Sequence, residues 1–286
     1  MWTLLYGSEH AQFVVHLCDP TTAGSCGAEG VCMKRPTGNR CKCPKGYMGV
    51  ECKRPCQDVY LSCTRWKDEG RCDWARPILP FFEDNCAETC GRCHNTGKKL
   101  AIALPPILEP ISWIIGKWQT ATTARDHFPV AMSGPYSEIL DISISEVPMF
   151  DRPPVNVSVT AFTKDGDVSR ELGFMTGKPF LEDTGFIEFD KPKNGTDQVA
   201  IEMVSNTGLI TIEEGVLHGR EIVLELKYIK SIFGPLHHSM ITSSKRSFKL
   251  LNKNSLLERA IVQYASGRTS KWSKRYVKTI DYLAQF

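Results

Sequence analysis

The residues able to do chemistry fall into two separate sets. All twelve cysteines lie between Cys18 and Cys93, and the last 193 residues have none. An even number at that density is the pattern of an oxidised, disulfide-stapled extracellular segment. Zinc modules use repeated C-x-x-C knuckles with histidines, and only Cys90-Gly-Arg-Cys93 has that spacing. The second set is sparse. In R-T-S-K-W-S-K-R-Y-V-K-T, from Arg268 to Thr279, a strand would place Trp272, Lys274, Tyr276 and Lys278 on one face. That mixture suits either a phosphate surface or one wall of a barrel. On the outside, Arg268, Lys271 and Arg275 would suit heparin-like chains or anionic lipid, or simply a solvated face. His127 stands beside a strand, and His237-His238 follows Gly-Pro in a loop. No Ser-His-Asp set, paired-carboxylate motif or phosphate loop supports a hydrolase or a kinase.

The elements that position these residues can be read from periodicity. Beyond the last cysteine, a polar link H-N-T-G-K-K (His94 to Lys99) precedes strand signals spaced by turn residues. Y-S-E-I-L-D-I-S-I-S-E-V and V-N-V-S-V-T-A-F alternate with period two, as do G-F-I-E-F, V-A-I-E-M-V, L-I-T-I-E-E, E-I-V-L-E-L-K-Y, S-F-K-L and R-A-I-V-Q-Y. About ten such strands, with one short helical stretch near Ile107–Ile115, predict an antiparallel barrel closed on itself. A barrel of that size has room for one small ligand.

Charge excludes one class of partner. The net charge is +3, and beyond Ala103 basic and acidic residues balance at 21 each. A nucleic-acid surface needs a sustained basic excess, so none is expected. The cysteines imply export, yet M-W-T-L-L-Y-G-S-E-H lacks a basic n-region and is interrupted by Glu9 and His10, so a signal peptide or anchor is expected outside this sequence. L-A-I-A-L-P-P-I-L-E-P-I-S-W-I-I, from Leu100, is too short and broken by proline to span a bilayer. Two sequons, Asn156-Val-Ser158 and Asn194-Gly-Thr196, fit an exported glycoprotein.

Three resemblances organise the chain. The first six cysteines, C-x7-C-x5-C-x8-C-x-C-x8-C, end in C-K-C-P-K-G-Y-M-G-V-E-C and resemble the EGF-like signature over 14–53. That resemblance implies the pairs Cys18–Cys32, Cys26–Cys41 and Cys43–Cys52; spacing alone leaves fifteen connectivities open. F-V-V-H-L before the first cysteine supplies no carboxylate, so no calcium is expected. The next six, C-x6-C-x8-C-x13-C-x3-C-x2-C over 56–93, are similar to the ShK toxin-like domain, with Asp58, Trp66, Gly70 and T-C-G-x-C in place. This implies Cys56–Cys93, Cys63–Cys86 and Cys72–Cys90. The toxins' Lys-Tyr pair is replaced by Pro80 and Phe81, so the module reads as a docking unit and not a channel blocker.

After a linker (94–103), residues 104–284 resemble nitrobindin through W-I-I-G-K-W, H-F-P, R-E-L-G-F and S-N-T-G-L-I-T-I-E-E-G-V-L-H-G. The resemblance implies a ten-stranded haem barrel with nitric-oxide or peroxynitrite chemistry. It implies that Gly116 and Trp118 start the first strand, with Trp118 filling the closed end, and that Asn206-Thr207-Gly208 and Glu214-Gly215 shape turns. It also places Lys274 where the family's haem histidine belongs, and His127 and Phe128 where it has threonine and tyrosine before proline. The family's G-x-G-x-G run after the tryptophan is replaced by Q-T-A-T-T-A-R-D. Haem iron needs an axial donor, and a protonated lysine has no lone pair. The expectation is therefore a mainly β, three-module, secreted or membrane-associated interaction protein with protein partners, no catalytic residue and no resident cofactor. The candidate pocket is Trp118, His127, Phe128, Lys274 and Tyr276. The alternatives are an apolar small ligand, or haem b held through Tyr276 or His127.

Overall fold

The computed structural model describes residues 18–27, 29–34, 39–49, 52–74, 82, 85–145, 148, 153–178, 198–231 and 241–283. The N-terminal part is stapled throughout. Cys18 is bonded to Cys32, Cys26 to Cys41 and Cys43 to Cys52, and then Cys56 to Cys93, Cys63 to Cys86 and Cys72 to Cys90. In the first module β1 (Val31–Met33) pairs with β2 (Arg40–Lys42), and β3 (Tyr47–Met48) with β4 (Arg54–Pro55). Among its described residues the second has two short helices, α1 (Cys63–Asp68) and α2 (Arg71–Trp74). Its core is small: Trp66 packs between Tyr60 and Phe82, with ring centres 5.6 and 5.4 Å away. So little apolar surface cannot hold a chain without cross-links. Asp58 fixes the final turn by accepting from the backbone N–H of Glu88 and Thr89, at 3.1 and 3.0 Å. Pro80 and Phe81 lie outside the described residues.

The connecting stretch is clasped from both sides. Gln57 exchanges two hydrogen bonds with the Leu100 backbone, at 3.1 and 3.0 Å. Arg54 is buried, donates to the Leu104 carbonyl at 3.0 Å and pairs with Glu109. Leu100 itself enters the barrel's core.

The barrel begins with a 3-10 helix over Pro106–Ile114. Pro106 needs no N–H at the first position, and Pro110 cannot donate at all, so regular α-helix is disfavoured. Ile107, Leu108, Ile111 and Ile114 are buried with Trp118 in the main core. Each such side chain removed from water contributes about 1.5–3 kcal/mol. The Trp118 indole donates to the Ile114 carbonyl at 2.8 Å, fixing the plug to the first strand.

Ten strands follow among the described residues: β5 (Gly116–Thr120), β6 (Tyr136–Ile144), β7 (Val155–Thr163), β8 (Val168–Lys178), β9 (Gln198–Ser205), β10 (Leu209–His218), β11 (Glu221–Ser231), β12 (Ile241–Asn252), β13 (Ser255–Tyr264) and β14 (Thr269–Ile280). Each pairs antiparallel with its neighbours in sequence, and β14 closes on β5 with Tyr276 opposite Thr120 and Lys278 opposite Trp118. Closure leaves no open sheet edge. Strand alternation sets what faces inward: in β6 Tyr136, Glu138, Leu140, Ile142 and Ile144 are buried in strict succession.

One expected turn is a strand. Asn206-Thr207-Gly208 does turn between β9 and β10, with Gly208 at φ 75°. Glu214-Gly215 instead lies within β10, with Gly215 opposite Leu224 and Val199. A Cβ on Gly215 would come within 1.7 Å of the Val223 carbonyl oxygen, so glycine serves close strand approach there and not a change of direction.

Candidate functional site

Inside the barrel is a small, partly open cavity with two kinds of wall. Residues such as Leu140, Met175, Ile201, Met203 and Phe248 form the apolar part, and Glu138, Glu171, Arg246, Glu258, Lys274 and Tyr276 the polar part. The strand phase brings the polar set together. Glu138 (β6), Glu171 (β8), Glu213 (β10), Glu258 (β13), Lys274 and Tyr276 (β14) are all buried. Glu258 and Lys274 are directly opposite across β13 and β14.

The contacts form one network. Lys274 Nζ donates to both oxygens of Glu138, at 3.1 and 3.0 Å, and lies 3.2 Å from Glu258 Oε2. The Tyr276 hydroxyl is bonded to Glu138 and, at 2.7 Å, to Glu258. Arg246 grips Glu213 through Nε, at 3.0 Å to each oxygen, and reaches Glu258 Oε1 through Nη1 at 3.1 Å. Its guanidinium sits 4.4 Å from the centre of the Phe128 ring. His127 enters from the stretch between β5 and β6. Its Nδ1 is 2.8 Å from the Val130 carbonyl, and its Nε2 is 3.4 Å from Glu138 and 3.9 Å from Glu171.

Burial and charge oppose each other here. Burial disfavours the Lys274 ammonium, but the Glu138 and Glu258 carboxylates outweigh it and raise its pKa. Burial works against ionised Glu258 too, and Lys274 and Arg246 overcome it, lowering its pKa. Glu171 is rescued only in part: Arg246 and Lys274 favour its ionised form but do not outweigh burial. Burial pushes its carboxyl up to about 8, and its Oε1 has no hydrogen-bond partner. For His127 burial dominates and lowers the pKa, so the ring is neutral at pH 7.

These side chains do not fit an axial haem ligand. Lys274, which the resemblance to nitrobindin set at the position of the haem histidine, is an ammonium held by two carboxylates. Tyr276 has its phenolate form disfavoured by burial and then by the same two carboxylates, which raise its pKa well above the usual value. His127 donates Nδ1–H to a carbonyl, which leaves its Nε2 lone pair aimed at Glu138 and Glu171, and its ring does not line the cavity. Trp118 does not line it either; it belongs to the plug.

Sequence reading brought Phe128, Lys274 and Tyr276 to the cavity wall and His127 to its rear, but it missed Glu138, Glu171, Glu213, Arg246 and Glu258. A signal was present. In Y-S-E-I-L and L-L-E-R-A a glutamate occupies the apolar phase of its strand, whereas Glu213 shares its phase with Thr211 and gave no such signal. An acid in that phase is a buried charge in need of a partner. The basic face of β14 points outward, with Lys271, Ser273 and Arg275 exposed. Asn156 is exposed on β7, opposite Phe174; Asn194, His237 and His238 lie outside the described residues.

Comparison with known proteins adds the following. The family model described as "THAP4-like, heme-binding beta-barrel domain" matches residues 107–276, and "ShK domain-like" matches 55–93. The Caenorhabditis elegans protein C28H8.5, described as uncharacterized, is 25% identical over 213 residues, covering 72% of this chain and 67% of its own. Peroxynitrite isomerase THAP4 from Bos taurus is 29% identical over 154 residues, covering 54% of this chain and 23% of its own. The Homo sapiens protein of that name is 29% identical over 157 residues, covering 54% and 24%. This chain therefore spans about a quarter of the length of those vertebrate relatives. Among solved structures, Rv2717c from M. tuberculosis aligns with a TM-score of 0.43 and 16% identity, over 62% of this chain and 98% of its own.

Proposed function

We propose, from the premise that this chain belongs to the family of THAP4-like, haem-binding β-barrel domains and carries an ShK-like domain, that it is a non-enzymatic extracellular interaction protein whose barrel does not use haem. One observation carries this reading: Lys274, at the position that the resemblance assigns to the haem histidine, is ion-paired to Glu138 and Glu258. The vertebrate relatives are named peroxynitrite isomerases. We do not carry that activity over, because it would need an iron donor that the described residues of this wall do not supply.

Export is supported by the cysteines. None of the twelve is free, and such a set persists only in an oxidising compartment. The first module is read as EGF-like from its spacing and its bonded pairs, and the two stapled modules serve as protein-contact units. The exposed Asn156 is a glycan acceptor in this reading, as is Asn194. A second reading rests on the cavity. An apolar wall facing a cluster of polar groups can seat an amphiphilic molecule, so in this reading the barrel also holds a small ligand.

Hemin titration of the full chain tests the main reading. The expected result is no stoichiometric Soret band. A sharp band at one-to-one stoichiometry, lost in Tyr276→Phe or His127→Ala, would sink it and name the ligand.

A further inference from the structure

We infer that the barrel cavity takes a small amphiphilic amine, its cationic nitrogen paired with Glu171 and its apolar body against Met175, Ile201 and Met203. This rests on the small-ligand reading above and names the ligand's chemistry. The charge inventory of the interior points to it. Among the described residues four buried carboxyl groups, Glu138, Glu171, Glu213 and Glu258, face two permanent cations, Lys274 and Arg246. Both cations are consumed: Lys274 by Glu138 and Glu258, Arg246 by Glu213 and Glu258. An acidic ligand, such as a fatty acid, would therefore bring another carboxylate to a wall with no spare positive charge, which is costly in a buried site.

Glu171 is the group left over. It is 6% exposed, it lines the cavity, and its Oε1 has no hydrogen-bond partner. The His127 nitrogen at 3.9 Å is beyond hydrogen-bond reach. A buried carboxyl oxygen that no donor reaches among the described residues calls for an explanation, and a cationic nitrogen entering the cavity supplies one. The neighbouring wall agrees. On β8 Met175 is the next buried side chain along the same face, and across to β9 it pairs with Ile201, while Gly173 pairs with Met203. A polar atom at Glu171 thus leads into a thioether- and aliphatic-lined space, the shape of a site for a charged head on a short apolar body.

The carboxyl's own proton makes the idea sensitive to pH. With Glu171 titrating at about 8, an amine must displace that proton at neutral pH. Amine affinity then rises with pH, by up to about tenfold per unit below that value, and levels off above it.

The test is calorimetric titration of the full chain with hexylamine, hexanol and hexanoic acid. Hexylamine is expected to bind at least about tenfold more tightly than the other two at roughly pH 8.5. Glu171→Gln keeps the side chain's shape, and should weaken hexylamine about tenfold while leaving hexanol within about twofold. The pH dependence of the unaltered protein gives the same answer without any substitution. Hexanoic acid binding as tightly as hexylamine, an unchanged hexylamine affinity in Glu171→Gln, or an amine affinity flat in pH overturns the amine assignment and leaves the small-ligand reading standing. Silence from all three ligands overturns the small-ligand reading itself.

Discussion

Lys274 and Glu138, 136 residues apart in the chain, meet inside the barrel with the ammonium 3.0 Å from a carboxylate oxygen. Neither charge is tolerable there alone. Removing one should cost far more than removing both, because the survivor would be buried without a partner. Lys274→Met is expected to lose about 3–5 kcal/mol of unfolding free energy, and Lys274→Met with Glu138→Leu to recover a large part of it. Urea unfolding of the two variants, read at constant slope, checks this. A neutral Lys274→Met would contradict the network.

Glu171 gives the stability curve an alkaline slope. Its pKa in the folded chain, about 8, is raised above the unfolded value of 4.5, so the folded state holds the proton more tightly. That contribution is complete below about pH 4.5 and is lost as pH rises through about 8. Glu171→Gln, which cannot ionise, should therefore match the unaltered protein in melts near pH 5 and exceed it by a few kcal/mol near pH 9. Identical melting curves across that range would show that the carboxyl is not held protonated.

Glu258 acts in the opposite direction. Its pKa is lowered in the folded chain, so its stabilisation is present above pH 4.5 and disappears as pH falls further. Glu258→Gln should flatten the acid limb of the stability curve. Circular dichroism between about pH 2 and pH 5 reads this out.

Gly215→Ala drives a methyl into the Val223 carbonyl and must part β10 from β11. Overpacking of this kind costs about 1–3 kcal/mol or more. Gly134→Ala meets nothing within 4 Å, and is expected to be neutral or stabilising by less than about 1 kcal/mol. Thermal melts of the pair separate a steric requirement from a general intolerance of alanine.

The disulfides should rank by the loop each one closes. Cys56–Cys93 spans 37 residues and Cys43–Cys52 spans 9. Chain entropy assigns roughly 4 kcal/mol to the first and roughly 2.5 kcal/mol to the second. Replacing each pair by serine and following proteolysis of its module should reproduce that order, with the barrel's own melting unchanged.

Most of the barrel was legible because its strands are one-sided. Alternation in Y-S-E-I-L-D-I-S-I or R-A-I-V-Q-Y needs no knowledge of partners. The same logic placed Lys274 and Tyr276 on one strand face. What alternation does not carry is pairing between distant strands. Glu138, Glu213, Arg246 and Glu258 stand on four different strands, and their mutual satisfaction appears only when the sheet closes. Gly215 was misread for a related reason: glycine after glutamate looks like a bend until the opposing carbonyl is in place.

The clasp made by Arg54 and Gln57 bears on mechanics. Because both side chains grip the segment that leads into the barrel's plug, the cysteine-rich end is fastened to that segment at two places, Leu100 and the Leu104–Glu109 stretch. Breaking either hold would loosen the hinge between staples and barrel without touching a strand.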